Sequence, residues 1–233
     1  MSLLTLDDVH TYYGNSYVLQ GLSLEVGDHQ IVGLIGRNGA GKTTTLRSII
    51  GFTPPRRGHI VFDGIEVTGR PPYRVAQRGI GLVPQGRRIF GSLDVLENLT
   101  LGLNKKNKGG WTLERVFEMF PRLLERRHQP ASTLSGGEQS MLTISRALLM
   151  NPRLLLMDEP TEGLAPVAVE VVAEALRTLR RERQSILLVE HDLTLILDLV
   201  DRLYIISKGV IAFEGSPDEL RAREDLQARY LGV

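Results

Sequence analysis

From residue 3 to residue 28, LLTLDDVHTYYGNSYVLQGLSLEVGD alternates apolar and polar residues around turn signals, which predicts short antiparallel strands. QIVGLIG (30–36) is instead a compact apolar run ending in glycine, the pattern of a buried strand. KTTTLRSIIG then predicts a helix stopped at Gly51. TPPRRGHIVFDGIEVTG (53–69) returns to hairpin chemistry with Asp63-Gly64 as its turn pair, and GIGLVPQ (79–85) predicts another strand. Between about 86 and 150 the spacing becomes helical in SLDVLENLTLGL and TLERVFEMFPRLLERR, with LNKKNKGG between them as a solvated loop. RLLLMDE (153–159) and SILLVEH (185–191) are continuous apolar strands on either side of a helix at about 166–183. A helix, the strands of RLYIISKGVIAFEG (202–215) and a short helix close the chain. Strands that alternate with helices imply a parallel sheet with helices on its faces.

One helix start departs from this plain patterning. In TLSGGEQS (133–140), Ser135 and Glu138 have capping-box spacing, and Met141, Ile144, Ser145 and Leu148 follow on one face. Gly136 and Gly137 occupy the first turn, where each glycine costs up to about 1 kcal/mol relative to alanine. Capping by itself gives no reason for a first turn without side chains.

Composition changes this picture mainly by exclusion. The chain has 233 residues, 42% hydrophobic and 24% charged, enough for one large α/β domain with a substantial core. A formal net charge of +1 implies no global attraction to nucleic acid or to an anionic membrane. Cysteine is absent, which excludes disulfides, thiolate metal sites and cysteine nucleophiles. MSLLTLDDVH lacks the basic start and apolar run of an export signal, and stretches such as LTLILDLV are far shorter than the roughly 20 residues of a membrane span. The expectation is a cytoplasmic protein that reaches a membrane only by docking on something that spans it.

Specific chemistry enters at GRNGAGKTT (36–44), which satisfies G-x-x-x-x-G-K-S/T with an apolar strand before it and a helix after it. Gly36, Gly39 and Gly41 let backbone amides turn toward phosphate oxygens without a Cβ in the way. The whole loop, Gly36, Arg37, Asn38, Gly39, Ala40, Gly41, Lys42, Thr43 and Thr44, is therefore a candidate nucleotide cradle. Lys42 is expected to reach the β- and γ-phosphates and Thr43 to ligate Mg2+. LLLMDE places Asp158 and Glu159 at the carboxyl end of a strand, where ligands bind in open α/β sheets. Asp158 is placed to hold Mg2+, and Glu159 to polarise an attacking water. The plain alternatives are a glycine-rich turn with an incidental lysine and a pair of solvated carboxylates. The flanking elements and the pairing of the two motifs count against both.

A phosphate loop and an acidic strand end with LSGGE between them resemble the ATP-binding subunits of ABC transporters, over essentially the whole chain. GRNGAGKTT matches the Walker A motif, Gln85 in LVPQG the Q-loop, LSGGEQ the signature, LLLMDEP Walker B, and His191 in LLVEHD the switch histidine. The resemblance implies a phosphate-loop NTPase fold with a mainly parallel core sheet, an antiparallel β subdomain and a helical subdomain. It also implies one ABC ATPase domain over 1–233, with the core in 1–85 and 151–233 and the signature-bearing helical part in 86–150. Tyr13 would stack on adenine, with Tyr12 competing for that role. Gln85 would touch Mg2+ and water, and His191 the γ-phosphate. Glu159, His191 and Lys42 would carry catalysis. Ser135, Gly136, Gly137 and Glu138 would contact the ATP held by a second, identical or paralogous, ATPase domain packed head to tail, so a side chain at Gly137 would block that ATP while leaving the monomer folded. Two departures stand out: Ala165 in TEGLAP where the D-loop commonly has aspartate, and His29 where glycine is frequent, read here as a surface turn residue.

PQGRRIFGSLDVLENL, DEPTEGLAP and the ending EDLQARYLGV look like the branch serving uptake of branched-chain amino acids and its urea or amide relatives. That resemblance implies transmembrane permease subunits, a solute-binding protein and no nucleic acid as partners. It also implies a place on the inner face of the cell membrane, with RRIFGSLDVLENL forming part of a groove for the permease. The competing readings are a lipid- or lipopolysaccharide-trafficking branch, a non-transport ABC ATPase, and a clamp that binds ATP without turnover.

Overall fold

Two sheets organise the chain, whose computed structural model describes residues 2–103 and 110–232. In chain order the strands are β1 (Ser2–Tyr13), β2 (Ser16–Gly27), β3 (Ile31–Ile35), β4 (Arg57–Phe62) and β5 (Ile65–Glu66), then β6 (Ile80–Val83), β7 (Leu154–Asp158), β8 (Ser185–Val189), β9 (Arg202–Ser207) and β10 (Val210–Gly215). The helices are α1 (Lys42–Ile50), α2 (Pro72–Gln77), α3 (Val95–Gly102), α4 (Leu113–Met119) and α5 (Pro121–Glu125), then α6 (Gly136–Leu148), α7 (Pro166–Arg181), α8 (Leu193–Leu199) and α9 (Pro217–Arg221). A last turn, Glu224–Leu226, runs into a wider one over Gln227–Leu231.

β2-β1-β4-β5 form the antiparallel sheet, and β10-β9-β3-β8-β7-β6 form the six-stranded sheet, parallel except for β10. The alternation of strand side chains divides the interior in two. Ile31, Ile35, Leu155, Met157, Ile186 and Leu188 point into one core, shared with α3–α8. Val32, Leu34, Leu154, Leu156, Leu187 and Val189 point into the other, shared with α1 and the antiparallel sheet. Strands buried on both faces must be apolar throughout, which is why their sequences read as continuous runs.

Most of the expected elements form, with informative differences. Asp63 (φ 51) and Gly64 (φ 71) both adopt the left-handed conformation that a two-residue hairpin turn requires. Gly51 (φ 87) ends α1, and a Cβ there would lie 2.2 Å from the Arg70 carbonyl. β1 and β2 are long, at 12 residues each, because β1 pairs with β4 as well as β2. TLERVFEMFPRLLERR is two helices, since Phe120 leaves helical geometry (φ −129, ψ 75) and Pro121 starts α5. α2 carries no clear signal in the hydrophobic pattern; Pro72 at the first helical position starts it. The loop expected at LNKKNKGG lies, over 104–109, outside the described residues. No helix of the described residues is long and apolar enough to cross a membrane.

Candidate active site

The site lies at the carboxyl ends of β3, β7 and β8, where their following loops meet. The phosphate loop joins β3 to α1. Gly36 has no room for a side chain, since a Cβ would sit 2.3 Å from the Ile206 carbonyl. Gly39 (φ 78) and Gly41 (φ 119) take left-handed conformations, and Gly41 precedes α1 without any side-chain cap. The turn between β9 and β10 braces the loop from behind, with Gly209 N donating to the Ala40 carbonyl at 2.9 Å. Arg37, Asn38 and Gly39 are exposed, while Lys42 and Thr44 are buried.

Lys42 Nζ donates to the Gly36 carbonyl at 2.8 Å and lies 3.4 Å from Glu159 Oε1 and 3.4 Å from His191 Nε2. His191 Nε2 is 2.6 Å from the same Glu159 oxygen. The other oxygen of Glu159 accepts from Gln85 Nε2 at 3.1 Å, and that amide also donates to Glu162 at 2.9 Å. Three segments distant in sequence thus converge on one carboxylate. Glu159 itself adopts φ 51, unusual for a residue with a Cβ.

Beside it, Thr43 Oγ1 donates to Asp158 Oδ1 at 3.1 Å. Burial pushes the Asp158 carboxyl up to about 6, with the Thr43 hydroxyl and Lys42 opposing the rise and Glu159 adding to it. A buried carboxylate and a hydroxyl in contact form an all-oxygen donor set suited to a hard divalent cation such as Mg2+. Such a cation would favour the ionised carboxylate that burial disfavours.

The two tyrosines at the end of β1 separate clearly. Tyr12 is stacked on Tyr17 with ring centroids 4.4 Å apart and carries the Arg56 guanidinium 4.5 Å from its own centroid. Tyr13 is 43% exposed on the opposite face. Of the two, Tyr13 is the ring left open to a further stacking partner.

Ser135, Gly136, Gly137 and Glu138 form the start of α6, and no described contact joins them to residues 36–44. The expected capping box is complete: Ser135 N donates to Glu138 Oε2 at 2.8 Å and Glu138 N to Ser135 Oγ at 3.3 Å. Glu138 is buried, and its other oxygen pairs with Arg126 Nε at 2.8 Å. Its carboxylate is therefore occupied within the chain. At Gly137 packing adds a second constraint, because a Cβ there would lie 2.6 Å from the Ala168 Cβ of α7. Gly136 faces the Arg87 guanidinium, whose Nη2 donates to the carbonyls of Glu162 and Gly163 at 3.2 and 3.3 Å. Ala165 precedes α7 with no side-chain cap, and exposed His29 (φ 61) is the surface turn residue expected.

Sequence reasoning missed Arg87, Arg126, Glu162 and Glu190 as neighbours of these motifs. Glu190 alone left a signal: a carboxylate placed directly after the apolar strand SILLV has to find donors.

Nucleotide hydrolysis is the chemistry this edge of the sheet is built for, and phosphate-loop nucleotide hydrolases are the class that fold and site define. The family described as ABC transporter matches residues 19–162. The chain belongs to this family, as one of its ATP-hydrolysing domains. It is similar to the high-affinity branched-chain amino acid transport ATP-binding protein BraG of Pseudomonas aeruginosa, 41% identical over 99% of this chain and 100% of that one. It is 36% identical to the lipopolysaccharide export system ATP-binding protein LptB of Haemophilus influenzae, over 100% of this chain and 98% of the relative. Among solved structures, a nucleotide-free ATP-binding cassette from an ABC transporter superposes with a TM-score of 0.85, at 28% identity over 97% of this chain and 96% of that one.

Proposed function

We propose that this chain powers uptake of branched-chain amino acids or related small polar solutes by closing on a second ATPase domain around Mg2+-ATP. The observation that carries the hydrolytic part is Glu159, held by Lys42, His191 and Gln85 at the end of β7. In this reading the Gly36–Thr44 amides and Lys42 hold the β- and γ-phosphates, and Tyr13 stacks on the adenine. Thr43, Asp158 and Gln85 would hold Mg2+, which supplies charge neutralisation between the phosphates. Glu159 orients and deprotonates water, and His191 fixes Glu159 against the γ-phosphate.

Ser135, Gly136 and Gly137 face the partner domain's γ-phosphate, with Glu138 keeping the cap in shape. The partner is a second copy or a paralogue. A groove of about 680 Å3 supports docking to a permease: α1, α2 and β6 wall it, exposed Phe52 and Tyr73 line it, and Gln85 and Asp158 reach it. RRIFGSLDVLENL contributes Arg88 to its wall, while Phe90, half exposed, carries Arg146 5.0 Å from its ring centroid. Through that groove the chain would sit at the cytoplasmic face of the membrane, working with a solute-binding protein and without nucleic acid.

Solute class follows the 41% identity to the branched-chain amino acid relative, which exceeds the 36% to the lipopolysaccharide one. Uptake of labelled leucine by cells carrying this subunit with its permease should be lost with Glu159→Gln. Undiminished uptake in a strain lacking the subunit would sink the solute assignment and leave the ATPase assignment standing.

A further inference from the structure

The contacts around Glu159 close into a ring through a residue that the hydrolytic chemistry does not use. Glu190, just before His191, is 2% exposed. Its Oε1 accepts from Thr161 N at 2.9 Å and from Thr161 Oγ1 at 2.6 Å, and its Oε2 accepts from His191 N at 3.0 Å. Thr161 lies two residues beyond Glu159, whose carboxylate meets the His191 imidazole at 2.6 Å. Glu159, Pro160, Thr161, Glu190 and His191 therefore form a closed circuit of covalent links and hydrogen bonds. A further bond, Glu159 N to the Val189 carbonyl at 2.9 Å, anchors the circuit to β8.

The circuit has a conformational task. A left-handed backbone costs a residue with a Cβ about 1–2 kcal/mol and persists only where its surroundings over-determine it. Glu159 (φ 51) is such a residue, and Thr161 is where the chain leaving it is first gripped by another segment. A buried carboxylate is itself expensive unless donors satisfy it, and these three donors come from the two segments that carry Glu159 and His191.

We propose that Glu190 is a positioning residue for ATP hydrolysis: its carboxylate locks the turn after Glu159 to the backbone of His191 and so sets the base against the imidazole. The proposal rests on the reading of Glu159 and His191 as the hydrolytic pair.

The test uses the full chain and Glu190→Gln. Glutamine keeps the volume but has one acceptor oxygen, so its NH2 must face either the Thr161 donors or the His191 amide. Affinity for a fluorescent ATP analogue should stay within about threefold of wild type while kcat falls about 10–100-fold, the scale of a small misplacement of reacting groups. Thr161→Val should lower kcat as well, and Thr161→Ser, which keeps the hydroxyl, should restore it. Two results with Glu190→Gln would overturn the proposal: a wild-type kcat, or affinity and kcat falling together with the melting temperature. Should that variant not fold, equal rates for Thr161→Val and Thr161→Ser would overturn it instead. Normal hydrolysis by Glu159→Gln would sink the reading beneath it.

Discussion

α1 and α6 both start beside glycines, Gly41 as the cap of one and Gly136 as the first residue of the other, yet their first turns are built in opposite ways. α1 has Gly41 as its cap, no side-chain cap and no acidic residue in its first turn. α6 has a complete capping box, with Glu138 both closing the cap and pairing with Arg126. A helix start carries about half a positive charge and several unbonded amides. In α1 no side chain shares them, so an anion is the partner that completes the turn. In α6 the chain satisfies part of them itself, so the turn stands alone and offers what is left. On the proposed reading, the first turn binds a nucleotide within its own chain and the second serves the nucleotide of another.

The glycines repeat the contrast. A Cβ at Gly36 would strike backbone, the Ile206 carbonyl, which cannot yield. At Gly137 it would strike Ala168 of α7, and at Gly136 only the movable end of Arg87. Adjacent glycines in one motif thus answer to different constraints.

The comparison can be broken at four points. Glu159→Gln should reduce phosphate release about 10²–10⁴-fold with ATP binding retained, since it removes a general base. Phosphate release measured beside equilibrium binding checks this, and a loss of both together would mean that the first site is held in shape by Glu159 rather than served by it.

Asp158→Asn should raise the melting temperature of the nucleotide-free chain near pH 7.5 while weakening Mg2+-dependent nucleotide binding. A carboxyl raised from 3.8 to about 6 in the fold binds its proton more tightly folded than unfolded. Its contribution therefore favours the fold below pH about 4 and is lost as the pH rises through about 6, amounting to at most about 3 kcal/mol. The stabilisation by Asn should thus disappear in melts at pH 4.

Gly137→Asp should destabilise by about 1–3 kcal/mol through overpacking against α7. A melting temperature equal to wild type would mean that a side chain there leaves the fold untouched, as the sequence suggested. Gly136→Ala should change stability by less than about 0.5 kcal/mol, its obstacle being a flexible side chain. Its hydrolysis should nevertheless fall if the bare face serves a partner's phosphate, and an unchanged rate would assign the glycine pair to packing alone.

Much of the site was legible before any fold was known. The capping box of Ser135 and Glu138 spans four residues, the phosphate loop is continuous, and Asp158-Glu159 come at the end of an apolar strand. Each has its cause within a few positions, so spacing alone carried it. Tyr13 was half legible: the sequence offered two adjacent tyrosines, and only their opposite faces, with Tyr12 taken up by Tyr17 and Arg56, separated them. Gly137 was legible as a bare position but for an incomplete reason, because Ala168 is 31 residues away in the chain.

By itself the sequence determined which segments are strands buried on both faces, where the phosphate loop lies and which carboxylates end β7, because hydrophobic period and turn chemistry act locally. Only the tertiary structure decided that Gln85, His191 and Lys42 meet on Glu159, that Glu138 is spent on Arg126, and that Glu190 ties together the segments carrying Glu159 and His191. The contacts of Glu159 and Glu190 depend on strand order in the six-stranded sheet. β7 and β8 must lie side by side before the residues that leave their ends can hydrogen-bond.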